Sequence, residues 1–349
     1  MKKSLLLLGA ACIALSSSAF TNKAHQRYVS PKFSFERFFT NKDSNVKTFG
    51  HEDAMRKAPA KVGSAQDVIY EVEGLRQNMS VTCSGFLDIE GYTFDFEDDV
   101  FASHVIYGET DEVYIYNILP QIPVDAYVKG KKDGDKIVVD LPQTVIWNDE
   151  MKEGANLTVC DYYEFEEDGV AYYSFAPTED ATLTFSIAED GTWKAEGLDP
   201  KHIMAYSFCT DGYWTGYGAW DLSLEPFNGV EVTVPEDIEV SEDFWSYVCD
   251  YLGYGWNVNF GQGGEEVYFQ GLSEVMPEAW VKATVEYDDS EAHVYIDQNQ
   301  YVGIFDNAYI VTKCAKILVD EEYGYEYYEL LPDDYRFELI WDYEEEKMV

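Results

Sequence analysis

One stretch of the chain occurs twice, and this duplication constrains the fold more than any other feature. The first copy begins Glu112-Val-Tyr and ends Ala-Tyr-Val-Lys129, and the second begins Glu266-Val-Tyr and ends Ala-Trp-Val-Lys282. The offset is 154 residues at the two glutamates and 153 at the two lysines, because the first copy has one extra residue. A motif repeated at nearly constant spacing indicates duplication of a whole structural unit.

We interpret the motif as strand and turn chemistry. Both copies begin with valine and aromatic residues, which favour strands, and proline and polar residues then interrupt the strand. A large ring precedes Val-Lys in both copies, so we expect Tyr127 and Trp280 to be mostly buried and to act in folding. A direct role in ligand binding is the alternative. The expected structural residues of the motif are Tyr114, Pro123, Tyr127, Tyr268, Pro277 and Trp280.

The first 63 residues differ from the rest of the chain. Two lysines, an apolar run and small residues ending at Ala19 predict a Sec signal peptide over 1–19, and therefore export. Cys12 would suggest lipid attachment, but the large aliphatic residue expected three positions earlier is missing. Residues 20–63 carry nine basic and four acidic side chains without apolar periodicity, so we expect a disordered basic leader.

The charge of the remaining body excludes one class of partner. From residue 64 onward the chain has 13 basic and 62 acidic residues, a net charge of −49. Proteins that bind nucleic acid need lysine and arginine to displace counterions from phosphates, so a nucleic-acid partner is not expected. No second apolar segment is long enough to span a bilayer.

The body is predicted to be all-β. Short runs rich in Val, Ile, Tyr and Phe alternate with turn signals such as Asp-Gly, which is typical of a β-sandwich or meander. The boundary signal Pro226-Phe-Asn-Gly229 divides it into two related tandem β domains over 64–228 and 229–349, the second shorter or cut short. The best helix candidate is 242–251, although a strand is the alternative there.

The second copy of the motif resembles a known group. Val267-Tyr-x-Gln-Gly-Leu-Ser-x-x-x-Pro-Glu-Ala-Trp-Val-Lys282 is similar to a motif of secreted β-rich proteins of Bacteroidota-type bacteria. Arg56-Lys-Ala-Pro59 and the Gly212 to Asp221 segment are similar to that group as well, so the resemblance covers most of the chain after residue 55. It implies export and tandem β domains, and it brings no catalytic residues.

Two kinds of residue cluster are candidate sites. Flat aromatic rings stack on sugar rings, so one aromatic cluster is a candidate carbohydrate platform. Runs of acids supply the oxygen ligands that calcium prefers, although no EF-hand pattern is present, and calcium is the only candidate cofactor. The candidate ligand-binding residues are Trp193, Tyr213, Trp214, Tyr217 and Trp220. The candidate metal ligands are Asp95, Glu97, Asp98 and Asp99.

No residue pattern indicates a catalytic site. The body's histidines lie outside any metal-ligand spacing or nucleophile motif, and acids are too numerous for a carboxylate pair to be informative. We therefore predict a non-enzymatic binding or adhesive module for an extracellular glycan or a surface protein. A structural spacer and a carboxylate-dependent glycoside hydrolase are the alternatives.

Five cysteines remain after signal cleavage, at positions 83, 160, 209, 249 and 314. An odd number leaves at least one unpaired thiol. Cys160 and Cys314 are 154 residues apart, which favours a shared buried role over a bond between them. Buried free thiols are expected, with a bond from Cys83 to Cys160 or Cys209 as the alternative.

Overall fold

A computed structural model describes residues 63–348, except 90–91, 120–121, 123, 168–169, 179, 237, 242–244, 250–253, 264–265, 274, 288–290, 320–325 and 343–346. The signal peptide and the basic leader lie outside these residues. The all-β prediction is confirmed, because strands dominate and the helical structure in the described part is one 3-10 turn, Ala65–Asp67. No helix in this part of the chain is both long and apolar enough to cross a membrane.

The chain divides into two compact units between Phe227 and Asn228, within one residue of the boundary drawn from the sequence. We call them the N-terminal and C-terminal units. The strands of the N-terminal unit are β1 (Leu75–Ile89), β2 (Tyr92–Tyr107), β3 (Glu112–Tyr116), β4 (Tyr127–Asp133), β5 (Lys136–Asp140), β6 (Gln143–Asn148), β7 (Glu153–Glu167), β8 (Val170–Pro177), β9 (Thr182–Ile187), β10 (Trp193–Ala195), β11 (His202–Phe208) and β12 (Trp214–Pro226).

One sheet carries the N-terminal unit and closes on itself. Its order is β1-β2-β3-β4-β5-β9-β10-β12-β11-β7-β6, with β8 paired to β7. Strand β12 pairs with β10 on one side. It also pairs with β1, and this pairing runs from Leu87 opposite Tyr217 to Met79 opposite Pro226. Closure removes the free edges of eight strands. The main core contains buried residues such as Met79, Ile115 and Phe185.

The C-terminal unit repeats most of this strand order. Its strands are β13 (Val230–Glu231), β14 (Glu239–Val240), β15 (Trp245–Cys249), β16 (Tyr254–Gly263), β17 (Glu266–Gln270), β18 (Trp280–Tyr287), β19 (Glu291–Asp297), β20 (Gln300–Phe305), β21 (Ala308–Val311), β22 (Ala315–Val319), β23 (Glu326–Leu330), β24 (Arg336–Asp342) and β25 (Lys347–Met348). The order β14-β16-β17-β18-β19-β24-β25, with β15 also on β16, matches β1-β2-β3-β4-β5-β9-β10 position by position. Its core contains Val267, Phe269 and Val281.

The predicted helix at 242–251 is wrong over its described residues. Trp245–Cys249 is strand β15, and it pairs antiparallel with β16 from Trp245 opposite Val258 to Cys249 opposite Tyr254. Aromatic and β-branched side chains in this run suit a strand, and pairing with β16 decides between the two structures.

The two copies of the motif form the same hairpin in the same register. Tyr114 lies opposite Lys129 in β3 and β4, and Tyr268 lies opposite Lys282 in β17 and β18. This equal register, rather than the similarity of sequence alone, shows that the two segments are structural equivalents.

A glutamine fixes the end of this hairpin in each unit, in the same way. Gln143 accepts from the backbone N–H of Lys129 at 2.8 Å and donates to the carbonyl oxygens of Lys129 and Asp140. Gln300 does the same with Lys282 and Asp297. Each side-chain amide thus replaces a strand partner where backbone groups would otherwise lack one.

Candidate functional site

Most of the aromatic residues predicted to bind a ligand are core residues. Trp193, Tyr213 and Tyr217 belong to the main core of the N-terminal unit, and Trp193 is only 2% exposed. Trp214 is buried as well, in a different cluster, and Trp220 is half-buried. The five rings therefore do not form one exposed surface, because successive side chains of a strand point to opposite faces of the sheet.

A second apolar cluster covers the other face of the closed sheet. Strands β7, β11 and β12 direct one set of side chains into the main core and the alternate set into this cluster. On β11, for example, Met204 and Tyr206 face the main core, whereas Ile203 and Ala205 face the second cluster. Both faces of these strands are hydrophobic, which is why the sequence did not indicate the orientation of each ring.

The second cluster continues into a row of aromatic rings that ends at the surface. We call this set the aromatic row. Its neighbouring ring centroids are 5.0 to 5.9 Å apart, within the range of favourable aromatic contacts. In order along the row it contains Trp220, Phe86, Trp214, Phe175, Tyr162 and Tyr173.

The exposed end of the aromatic row is a pair of stacked tyrosines, Tyr162 and Tyr173, which we call the tyrosine platform. Their ring centroids are 5.9 Å apart and the ring planes differ by 19°. Tyr173 is 39% exposed and Tyr162 is half-buried. Phe175, which is buried, packs edge-on against Tyr162 and supports it. The platform thus places two stacked, nearly parallel rings at the surface, with Tyr173 exposed and a buried ring beneath Tyr162.

Charged side chains border the tyrosine platform. The Tyr162 hydroxyl donates to Glu164 Oε1 at 2.8 Å, and this hydrogen bond raises the pKa of Tyr162. Lys201 Nζ lies 5.0 Å from the centroid of the Tyr162 ring. The Asp199 carboxylate accepts from the backbone N–H of Lys201 and so holds the turn that carries the lysine. The platform therefore combines flat rings with one acceptor and one donor.

The nearby histidine does not form a nucleophilic site. His202 Nδ1 lies 2.7 Å from Asp161 Oδ1, and Thr178 Oγ1 donates to the same carboxylate at 3.0 Å. A nucleophile would have to contact the imidazole, whereas this hydroxyl contacts the carboxylate. Asp161 also points to the face of β7 opposite Tyr162.

The four candidate metal ligands lie along β2 without converging. Asp95, Glu97 and Asp98 are exposed, Asp99 is half-buried, and their positions alternate between the two faces of a strand. A bulge interrupts the pairing of β1 and β2 here, and Asp98 adopts a positive φ of 53° while its N–H donates to Ser84 Oγ. Among the described residues, no three His, Cys, Asp or Glu side chains are grouped so that they could hold a metal ion.

The four aromatic residues of the motif lie on the outer face of the two hairpins, because their neighbours in the strands face the cores. In the first hairpin, the Tyr114 hydroxyl donates to Glu112, and Lys129 forms an ion pair with the same carboxylate. In the second, the Tyr268 hydroxyl donates to Glu266, and Lys282 forms an ion pair with it. Burial raises the pKa of Tyr268 to about 12, and the bond to its glutamate adds to this. Each trio joins residues that are neighbours across its hairpin, with the same partners in both units.

The two equivalent rings of the motif differ in burial. Tyr127 is buried, as expected, but Trp280 is only half-buried. Both rings are thus mostly buried, as expected, but Trp280 is buried less completely than Tyr127. Pro277 is exposed, and Pro123 lies outside the described residues.

The cysteines divide by burial. Cys83, Cys160 and Cys209 are buried, whereas Cys314 is half-buried, so Cys160 and Cys314 do not have the same environment. Cys160, Cys209 and Cys314 are free thiols, and burial raises the pKa of the Cys209 thiol to about 11. A thiol with such a pKa is a poor nucleophile at neutral pH.

Comparison with known proteins gives no relative. No family model matches the chain, and neither a curated protein nor a solved structure matches it. The resemblance to secreted Bacteroidota-type proteins thus stays a prediction, and the candidate site depends on the geometry above.

Proposed function

We propose that this protein is an exported, non-enzymatic binding module that attaches to extracellular carbohydrate through the tyrosine platform. One observation carries the proposal: two stacked, nearly parallel tyrosines, of which Tyr173 is exposed, lie at the surface end of a largely buried aromatic row. The apolar face of a pyranose ring stacks on such rings, and its hydroxyl groups hydrogen-bond to side chains such as Glu164 and Lys201. A surface protein is the alternative partner.

A glycan array with the full mature chain tests the proposal. We expect Tyr173→Ala to lower the affinity for bound glycans about tenfold, which corresponds to about 1.4 kcal/mol. The matched control is Tyr70→Ala, because Tyr70 is also an exposed tyrosine of the N-terminal unit, at 52% exposure. Wild-type affinity in the Tyr173→Ala variant would refute the role of the platform.

The two alternative functions predict other results. A structural spacer would bind no glycan of the array above background. A glycoside hydrolase would release soluble dye from dye-labelled polysaccharides, and loss of that release in carboxylate variants would replace the binding proposal.

Export and calcium binding stay predictions with simple tests. We expect the protein released by a secreting host to begin at Phe20, as measured by N-terminal sequencing.

For calcium, we expect the melting temperature to rise equally with calcium chloride and with sodium chloride at matched ionic strength, because salt screens the repulsion of the acidic body. A larger rise with calcium would indicate a specific ion site.

A further inference from the structure

The C-terminal unit carries a row of side chains on the outer face of its hairpin, which we call the Trp280 row. Asn259, Gln270 and Trp280 lie directly opposite one another across β16, β17 and β18. The adjacent residues Phe269 and Val281 face the core, so the row points away from it. Neighbouring strands are about 4.8 Å apart, so three adjacent residues cover about 10 Å, roughly the length of two sugar rings.

The amides of this row are already oriented by hydrogen bonds. Asn259 Nδ2 donates to Gln270 Oε1 at 2.8 Å, and Gln270 Nε2 donates to the carbonyl oxygen of Glu278 at 3.3 Å. Gln270 Nε2 also donates to Glu278 Oε2 at 3.4 Å, so both N–H groups of Gln270 are engaged. A side-chain amide has two N–H donors and an oxygen with two lone pairs, so the Gln270 oxygen and the Asn259 amide keep hydrogen-bonding capacity. The row therefore presents fixed polar groups beside a partly exposed indole.

The equivalent row of the N-terminal unit is filled by its own side chains. There His104, Tyr116 and Tyr127 replace Asn259, Gln270 and Trp280. The His104 ring stacks on Tyr116 at 4.5 Å, and its Nε2 lies 2.8 Å from the Tyr127 hydroxyl. The backbone of Ile69 accepts from the Tyr127 N–H, and both His104 and Tyr127 are buried. We call the N-terminal row sealed, because two of its three residues are buried, and the Trp280 row open, because all three of its residues are half-buried.

We propose that the Trp280 row binds a ring of a neutral oligosaccharide, which gives the protein a second binding site. The indole supplies the flat surface for the ring, and the two amides supply donors and acceptors for its hydroxyl groups. A neutral ligand fits because the acids Glu266 and Glu278 lie on the same hairpin and would repel an anion. The proposal rests on the proposed carbohydrate function, but it uses different residues from the tyrosine platform.

Binding of soluble neutral gluco-, manno- and galacto-hexasaccharides to the full mature chain tests this inference by calorimetry. We expect Trp280→Ala to weaken the binding of at least one probe about tenfold. The double variant Asn259→His with Gln270→Tyr, which installs the sealed row of the other unit, should do the same. Tyr287→Ala, at an exposed tyrosine of the same unit, should bind like wild type.

Fluorescence separates a binding role from a folding role. Trp280→Phe keeps a ring, so we expect its affinity to stay within about threefold, whereas the change in tryptophan emission on adding the probe should disappear. If Trp280→Ala binds every probe like wild type while Tyr173→Ala loses binding, the second site is refuted and the proposed function stands. If only Trp280→Ala loses binding, the platform fails and the second site stands. No binding of any probe refutes both.

Discussion

The N-terminal and C-terminal units contain the same hairpin in the same register, yet they cover its outer face differently. In the N-terminal unit, the rings of His104 and Tyr116 pack against Tyr127, whose N–H donates to the carbonyl oxygen of Ile69, and Tyr127 is buried. In the C-terminal unit, amides replace two of those rings and Trp280 stays half-buried. The Tyr–Glu–Lys trio and the glutamine are the same in both units. The residues that differ, two of them inside the repeated motif, therefore decide how far the outer face of the hairpin is exposed.

The largest expected effect contrasts two tryptophans. Trp193 lies in the main core and is 2% exposed, so Trp193→Ala should destabilise the N-terminal unit by about 3–5 kcal/mol. Trp280→Ala should cost the C-terminal unit only about 1 kcal/mol, because the ring is partly exposed. Urea unfolding combined with hydrogen exchange of peptides from each unit measures the two effects. Equal losses would show that Trp280 is a core residue and would remove the contrast between the units.

The next effect concerns the two glutamines that replace strand partners. Gln300→Ala should destabilise the C-terminal unit by about 2 kcal/mol, because the buried Gln300 amide is lost and the part-buried backbone groups of Lys282 and Asp297 lose their partner. Gln143→Ala should cost about 1 kcal/mol, since Gln143 is half-exposed and water can replace it. The same unfolding experiment measures both. A larger loss for Gln143→Ala would contradict this order.

A pH effect should appear in the N-terminal unit. Burial, together with the positive charge of Arg76, lowers the pKa of His104 to about 4. An unfolded histidine takes up a proton near pH 6.5, whereas the folded one does not until about pH 4. The free energy of unfolding should therefore be constant with respect to His104 above pH 6.5. It should fall by about 1–2 kcal/mol as the pH decreases from 6.5 to 4, because only the unfolded histidine takes up a proton in this range.

His104→Asn isolates this effect, because asparagine is the residue at the equivalent position 259 of the other unit. We expect the variant to lose less stability than wild type between pH 6.5 and pH 4, as measured by thermal unfolding of the N-terminal unit. The acidic body titrates alike in both proteins, so the difference reports His104. Parallel pH profiles would show that the imidazole is not the cause.

The smallest effect concerns the exposed ion pairs of the two hairpins. Lys129→Met removes the ion pair with Glu112, and Lys282→Met removes the equivalent ion pair with Glu266. Both pairs are largely solvent-exposed, so we expect each substitution to change the melting temperature by about 1 °C or less. Differential scanning calorimetry at low and high salt measures the change, which should vanish at high salt. A large effect in one unit alone would mark a structural difference between two trios that look identical.

Strands and their pairing in the repeat could be predicted from the sequence, since local residue types determine them. Alternation of aromatic and β-branched residues predicted β3 and β17, and the Asp-Gly-Asp turn predicted the hairpin of β4 and β5. The glutamine bridges were missed, although a signal exists: Asp140 precedes Gln143 by three residues, and Asp297 precedes Gln300 by three.

The site could not be predicted, because the sequence does not tell which face of a strand is covered. Tyr217 and Trp220 lie three residues apart in one strand, so alternation predicts opposite faces, but it does not tell which face carries the main core. The tyrosine platform depends on pairing between β7 and β8, which places Tyr173 diagonally beside Tyr162. Neither residue belongs to a motif, so only the fold reveals their contact.

The closed sheet of the N-terminal unit has a consequence for how the protein folds. Leu87 and Tyr217 are partners in the sheet but lie 130 residues apart in the chain. Contacts between such distant residues form slowly, because the entropy of closing the loop must be overcome before the contacts stabilise the chain. During synthesis, β1 has to wait for β12 before it gains its second neighbour. The unit therefore completes its sheet only after residues 214–226 have emerged.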